Sequence, residues 1–449
     1  MLAIELSNSI GSSDTSSAIA TVATDIASDC MVSNTRSQLP ETAIFARLNQ
    51  TRADFALILL QKLSQTLSDA LKVKDLLPTA WKVIANLETT FELALEAGPD
   101  GAAYYRTLLK ILFLVLRVHA ANQPTTEQEF RESVRATATP GVASTHLTIT
   151  LEILDKIIGQ GFRDLASAIH AESKCILPDD IALITALLQT CLMMPNLVET
   201  RTPQIQAILS THETARMATA LFSWSDKLSI EGDPIYGELS ILFLLELSTI
   251  PEVAERLAVE GIIGHLSSAP LTVYMRKPNV GPFSDSIGAQ RCYSIWARGI
   301  LPLLLNLLAR LEENIAGEIA IFLNQFPNLL QQAETALDMA PERRQGRIRQ
   351  ETRISLLQIS EIQSLAIIMT VLKGCRNRNI HGVPDIDFDS ANVHESVETW
   401  LSRRQVLQQR IVALGVRESE LERRGELEGK IVGELEELKY VLQELGEGN

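Results

Sequence analysis

"LSTIPEVAERLAVEGIIGHLSS" covers Leu247–Ser268 and is punctuated as two short helices. Pro251 cannot donate an amide hydrogen bond but fits a first helical turn. Glu252 follows at the positive end of that helix. Val253, Leu257 and Ala258 form a narrow apolar face, and Gly261 stops the helix as a left-handed C-terminal residue. Ile262, Ile263 and Leu266 open a second helix, which "SSAP" ends. A short helix, a glycine and a second apolar helix make an armadillo-type unit, and equally any αα-hairpin. Ile250, before the proline, is a poor cap where such units usually carry Asn or Ser. "LLQTCLMMPNLVETRTPQIQAIL" (Leu187–Leu209) is a second, looser copy. No strict period joins the two, which favours an irregular solenoid over a regular array.

The same texture extends outward in both directions. After Pro40, apolar residues recur at steps of three and four (Phe45, Leu48, Phe55, Ile58 or Leu59, Leu63, Leu67, Leu71), the mark of an amphipathic helix broken once. Pro78 opens another helix. Further helices are expected over Ala102–Ala121, Val142–Gly159, Phe162–Ala171, Pro178–Met194, Pro203–Ser225, Pro234–Leu247, Ile287–Arg310, Ala316–Leu337 and Arg347–Lys373. One or two long ones follow between Asn392 and Leu445. Pro178, Pro203, Pro234 and Pro251 read as helix starts, while Pro302 should kink its helix or split it near Gly299. No segment alternates with β-branched residues, so no strand is expected. The reading is an all-α chain, an irregular α-solenoid of HEAT/armadillo-like helical repeats. Residues 1–39 form a weakly ordered Ser/Thr-rich arm or loop, 40–391 the solenoid, and 392–449 long C-terminal helices that cap it.

Composition narrows the function. The 449 residues are 46% hydrophobic but only 5% aromatic, so the core must be Leu, Ile, Val and Ala, which leans towards helix. Forty basic residues against 55 acidic ones leave a net charge of −15, which argues against nucleic acid and anionic lipid as partners. "MLAIELSNS" is not expected to be a signal peptide. "ILFLVL" (Ile111–Leu116) is far shorter than a membrane span and reads as a helix buried on all sides, so no membrane insertion is expected. The five cysteines form no CxxC pair and are expected as reduced thiols.

Few residues suggest chemistry. "DIDFDSANVHE" (Asp385–Glu395) begins like a calcium loop, but Ser390 and Ser396 stand where that loop needs Gly and Glu. Asp389 or Ser390 is instead expected to cap a helix starting near Asn392. No histidine pair has metal-ligand spacing; His381 and His394 merely lie near those aspartates. Phosphate cradles and nucleophile elbows are missing, so neither an enzyme nor a cofactor is expected. The basic cluster "PERRQGRIRQETR" (Pro341–Arg353) reads as a solvated linker and first helical turn, or as a patch for an acidic partner or import factor. "LTVYMRKPNVGPFSDS" (Leu271–Ser286) reads as a long irregular loop, the kind that carries function. Trp296, among Ile295, Leu303 and Leu304, is expected in the core.

"GPFSDSIGAQRCYSIWARGILPLLLNLLARL" (Gly281–Leu311) resembles the C-terminal part of the large scaffold nucleoporins of the nuclear pore inner ring, and "LLQTCLMMPN" (Leu187–Asn196) agrees with it. The resemblance implies a C-terminal segment of a longer protein at the nuclear envelope. It also implies a structural role in nucleocytoplasmic transport, docking of short helical motifs from linker nucleoporins, and Phe-Gly repeats as a weaker partner. A transport-receptor-like binder of Phe-Gly repeats or cargo, and an armadillo-type regulator of a G protein, stay open as alternatives. An isolated segment is expected to be monomeric. The last helix carries Ile431, Leu435, Leu438, Leu442 and Leu445 in a heptad-like seam. A terminal repeat has one neighbour fewer than an interior one. Leu435, Leu438 and Leu442, with Trp400 and Leu401, are therefore the candidate partner-binding residues, unless the helix Arg347–Lys373 already fills the seam.

Overall fold

The computed structural model describes residues 43–63, 76–86, 90–121, 140–172, 175–194, 196–338, 352–378 and 382–447. The expected arm over 1–39, Leu67, Leu71, Cys30, His381 and the arginines of the basic cluster before Arg353 lie outside the described residues. The chain divides into two compact units, residues 1–217 and 218–449. Among the described residues there is no strand, only isolated backbone bridges between Ile230 and Asp233 and between Ile354 and Ile411. The fold is all-α, of the irregular HEAT/armadillo-like solenoid class.

The first unit comprises α1 (Ala43–Leu63), α2 (Leu76–Asn86), α3 (Phe91–Glu96), α4 (Pro99–Ala121), α5 (Pro140–Ile153), a π-helical segment π1 (Leu154–Gln160), α6 (Gly161–His170), α7 (Pro178–Leu192) and α8 (Leu197–Thr211). The boundary between the units falls within α9 (Thr214–Trp224). Helix α4 is the central rod, packed against α1, α2, α3 and α7. Its "ILFLVL" run buries Ile111, Leu112, Val115 and Leu116, while Phe113 and Leu114 stay half-buried. Arg106 of α4 forks onto buried Asp180 of α7, at 2.5 and 2.9 Å, which stitches the two helices with a bidentate pair. Pro203 does not start a helix: it lies inside α8, which begins at Leu197 after Asn196 turns left-handed (φ 61°). Burial of Leu197 starts the helix earlier than the proline alone would suggest.

The second unit continues with α10 (Ile235–Ser248), α11 (Pro251–Val259), α12 (Ile262–Ser268), α13 (Pro270–Met275), α14 (Ile287–Ser294), π2 (Ile295–Ile300), α15 (Leu301–Leu311), α16 (Glu313–Leu323), α17 (Pro327–Thr335), α18 (Leu356–Asn377), α19 (Ser390–Ser402), α20 (Arg404–Arg410), α21 (Gly415–Arg424) and α22 (Leu427–Glu447). A chain of long helices forms its spine. Helix α10 packs on π2 and α15, these pack on α18, and α18 packs on α22. Shorter helices flank each step: α11 lies against α10 and α15, α12 against α16, and α17 against α18 and α19. Each step contacts its sequence neighbours, as in a solenoid.

The opening stretch folds as its punctuation dictates. Pro251 begins α11, uncapped by Ile250, and Gly261 at φ 75° turns the chain into α12. Other details differ. The residues expected to form one loop from Leu271 begin as α13, because Pro270 starts a turn that buries Leu271 and Met275 four residues apart. Pro302 does not split its helix: the backbone passes from α14 through π2 into α15, and the wider π turns absorb the proline's missing donor. The expected helix Ala316–Leu337 is two, parted before Pro327, and the C-terminal region is four helices, with Gly425 left-handed (φ 72°) ahead of α22. Helices Ile287–Leu311 and Leu356–Asn377 are long and apolar enough to cross a membrane by length and composition; both are packed into the core of this unit.

The N-terminus of α18 is finished by distant chain. Ser355 and Gln358 form a capping box. Glu418 of α21, buried at 1% exposure, accepts the Leu357 amide at 3.0 Å with one oxygen and the Leu414 amide at 2.9 Å with the other. Ile354 meanwhile accepts from Val412 and donates to the Arg410 carbonyl.

The acidic segment behaves as a cap. Asp389 accepts the Ala391 and Asn392 amides at the start of α19, and Asp385 pairs with Arg376. Among the described residues no group of three His, Cys, Asp or Glu is placed to hold a metal. Calcium or zinc added to chelator-treated protein should therefore leave its melting temperature unchanged. A rise of several degrees at micromolar metal would show a site that this geometry lacks.

Candidate functional site

Five side chains were singled out from sequence, and the structure brings them together in the interior. Leu435 and Leu438 are 0% exposed and Leu442 2%, all on the face of α22 that packs against α18 and α19. Trp400 is also buried, its indole donating to the Leu337 carbonyl at 2.7 Å, and Leu401 is half-buried. The seam is filled by the preceding helices, so these residues do not form an open groove. A 3.5-residue apolar period looks the same whether its cover comes from its own chain or from a partner.

An open groove lies elsewhere in the second unit, where three elements converge. Between α9 and α10 the chain reverses in a two-residue turn, with Ile230 and Asp233 exchanging backbone hydrogen bonds at 3.0 and 2.9 Å. Glu231 (φ 52°) and Gly232 (φ 82°) are both left-handed there, as a type I′ turn requires. The turn, α13 with the residues after it, and the first turns of α14 enclose a cavity of about 430 Å³. Pro234, Pro270, Leu271, Val273 and Tyr274 supply apolar walls, and Asp226 and Lys277 supply charge. Large apolar side chains stand exposed around it: Val273 at 48% in the wall, with Ile230 at 46% and Ile287 at 68% beside lining residues. Clustered exposure of this kind marks an interaction surface more than scattered single residues do.

The groove is built rigidly. Arg291 of α14 forks onto Asp233 through Nε and Nη2, each at 2.9 Å, and reaches Glu238 through Nη1; Glu238 in turn accepts from Ser294 at 2.5 Å. Its hydrogen bonds to Asp233 raise the guanidinium further above its ordinary value, so the clamp is always charged. Gly288 admits the close approach of the turn: a Cβ there would sit 2.6 Å from the Gly232 carbonyl oxygen. Gly288→Ala should therefore push the turn off α14 and lower the melting temperature by a few degrees, a cost of about 1–3 kcal/mol. A variant with unchanged thermal unfolding would show that the turn is not locked. At the base, burial pushes the Cys292 thiol up to about 12, so it stays protonated and inert at neutral pH. The site offers shape and apolar surface. Its residues come from positions far apart in sequence, so only the flagged Leu271–Ser286 stretch hinted at it.

Residues 76–447 match the family described as the nuclear pore protein NUP188 C-terminal domain. The chain belongs to that family. Nucleoporin NUP188 of Chaetomium thermophilum is 41% identical over 93% of this chain, and nup184 of Schizosaccharomyces pombe is 26% identical over 60% of it. A solved fragment of Nup188 from Myceliophthora thermophila shares the fold with a TM-score of 0.69 at 40% identity, covering 82% of this chain and 98% of the fragment. The chain spans about a quarter of the Chaetomium relative (23%) and 16% of the Schizosaccharomyces one. As a member of a NUP188 family, it is a nuclear pore component of the nuclear envelope.

Proposed function

We propose that this NUP188-type segment is a non-enzymatic scaffold piece of the nuclear pore that receives a short helical motif of a linker nucleoporin, and that the motif seats in the α9–α10 turn/α13/α14 groove. The observation that carries the reading is the groove itself: an open cavity of about 430 Å³, braced by the Arg291 clamp and bordered by exposed Val273 and Ile287. An amphipathic helix recognises such a slot by inserting apolar residues three and four positions apart. Membership of a nucleoporin family supports another nuclear pore component as the partner.

Binding of a fluorescent linker-nucleoporin peptide to the full chain tests the reading. Val273→Asp and Ile287→Asp should each weaken binding by roughly tenfold or more, the effect of losing a well-packed apolar contact. Val259→Asp, at an 88% exposed position outside the groove, should leave it intact. Thermal unfolding should be nearly unchanged for Ile287→Asp and Val259→Asp, whose side chains are mostly in solvent; Val273 is about half covered, so binding by its variant is measured below that variant's own melting temperature. Undiminished binding by both groove variants would remove the groove from the reading. Loss of Phe-Gly-repeat binding, with peptide binding untouched, would assign the groove to the other partner class.

A further inference from the structure

A buried carboxyl normally stands against a cation, because water no longer offsets its charge. Glu361, in α18 at 1% exposure, does not. The Trp296 indole donates to one of its oxygens at 2.8 Å and the Tyr293 hydroxyl donates to the other. Tyr293 and Trp296 are three residues apart where α14 passes into π2, so one helix face presents both donors. We propose that Glu361 is a proton-operated clasp that fastens α18 to the α14–π2 helix.

The surrounding elements leave the carboxyl without a counter-ion. Glu418 of α21 acts on Tyr293 as a second negative group, and Arg298 of π2 is directed to Glu418 at 3.7 Å. Helices α15, α16, α17 and α22 also pack on α18, and the buried side chains they contribute are apolar, among them Leu304, Ile319, Leu330 and Leu438. On α18 itself, Gln358 is engaged by Ser355, and Ser364 donates to the Ser360 carbonyl. The neutral carboxyl still accepts from the Trp296 indole, and its own hydroxyl can donate only to the Tyr293 oxygen, in place of the tyrosine's donation. The ionised form keeps two hydrogen bonds but strands a charge in the core. Burial pushes the carboxyl up to about 7, with the two hydrogen bonds pulling the other way. Because this folded value lies above the ordinary one, the clasp is fully fastened in acid. Its contribution is lost as pH rises through about 7, and nothing more is lost above that.

The Trp296 indole reports the state of the clasp directly. In the full chain labelled with nitrogen-15, its resonance, assigned with Trp296→Phe, should titrate as a single proton between about pH 6 and about pH 8. Glu361→Gln should flatten that titration and Glu418→Gln should retain it. Amide exchange in α14 and π2, corrected for its intrinsic pH dependence, should speed up as the pH rises towards about 7 and level off above it in the native chain, and not in Glu361→Gln. An indole resonance that stays still from about pH 5.5 to about pH 8.5 in the native chain overturns the clasp, whether or not the variants fold. So does a titration that survives Glu361→Gln, or exchange that responds to pH equally in both.

Discussion

Ending the chain at Gly425 should abolish the cooperative unfolding of the second unit. The deletion removes α22, whose Leu427, Ile431, Leu435, Leu438, Leu442 and Leu445 are all buried at 7% exposure or less. At about 2 kcal/mol for each buried aliphatic side chain, those six represent on the order of 10 kcal/mol. That is comparable to the whole stability of an ordinary domain, about 5–15 kcal/mol. The deletion also uncovers the matching faces of α18 and α19, so the truncated chain should bind hydrophobic dyes and aggregate. Urea unfolding followed by circular dichroism is the measurement. A sharp transition in the truncated chain, with Trp400 still emitting as a buried indole, would mean that α22 is an accessory and not part of the core.

Trp296→Ala should cost about 3–5 kcal/mol, the toll of emptying a large aromatic site. Its ring is 0% exposed, lies 4.8 Å from the Phe326 ring and donates to Glu361. Truncation therefore opens a cavity and takes one of the two donors from a buried carboxyl. Trp296→Phe separates these effects: it keeps most of the volume and should lose about 1–3 kcal/mol, chiefly through the missing hydrogen bond. Denaturant midpoints for both variants give the comparison. A cost below about 1 kcal/mol for the alanine variant would contradict the packing described here.

Local rules reached a long way into this fold. Proline at a first turn and glycine at a left-handed stop placed α11 and α12, because both act through a single residue's backbone. They failed where tertiary packing decided. Pro203 ended up inside α8 because burial of Leu197 started that helix sooner. Pro302 sits in an unbroken rod because the preceding residues widened into π turns. The candidate site was less legible than the fold. Trp400 and the α22 leucines carried a correct apolar period, but a period fixes which face is covered and not what covers it. The groove that stays open is assembled from a turn, a short helix and a helix start, spread from Asp226 to Cys292. Such convergence has no one-dimensional signature. The exposed Val273 and Ile287 look in sequence like any other aliphatic residue.

The cap on α18 bears on how this protein is made. A ribosome delivers Leu357 well before Glu418, the acceptor of its amide, 61 residues further on. Until that glutamate emerges, the first turn of the helix at the centre of the second unit holds an unanswered donor, and its leucine-rich flank waits for α22. A chain stopped anywhere before Glu418 therefore leaves that donor unmet and the apolar flank of α18 uncovered, the kind of surface that makes incomplete chains prone to aggregate. Closure of the second unit's core thus waits on α21 and α22, the last of its described helices in chain order.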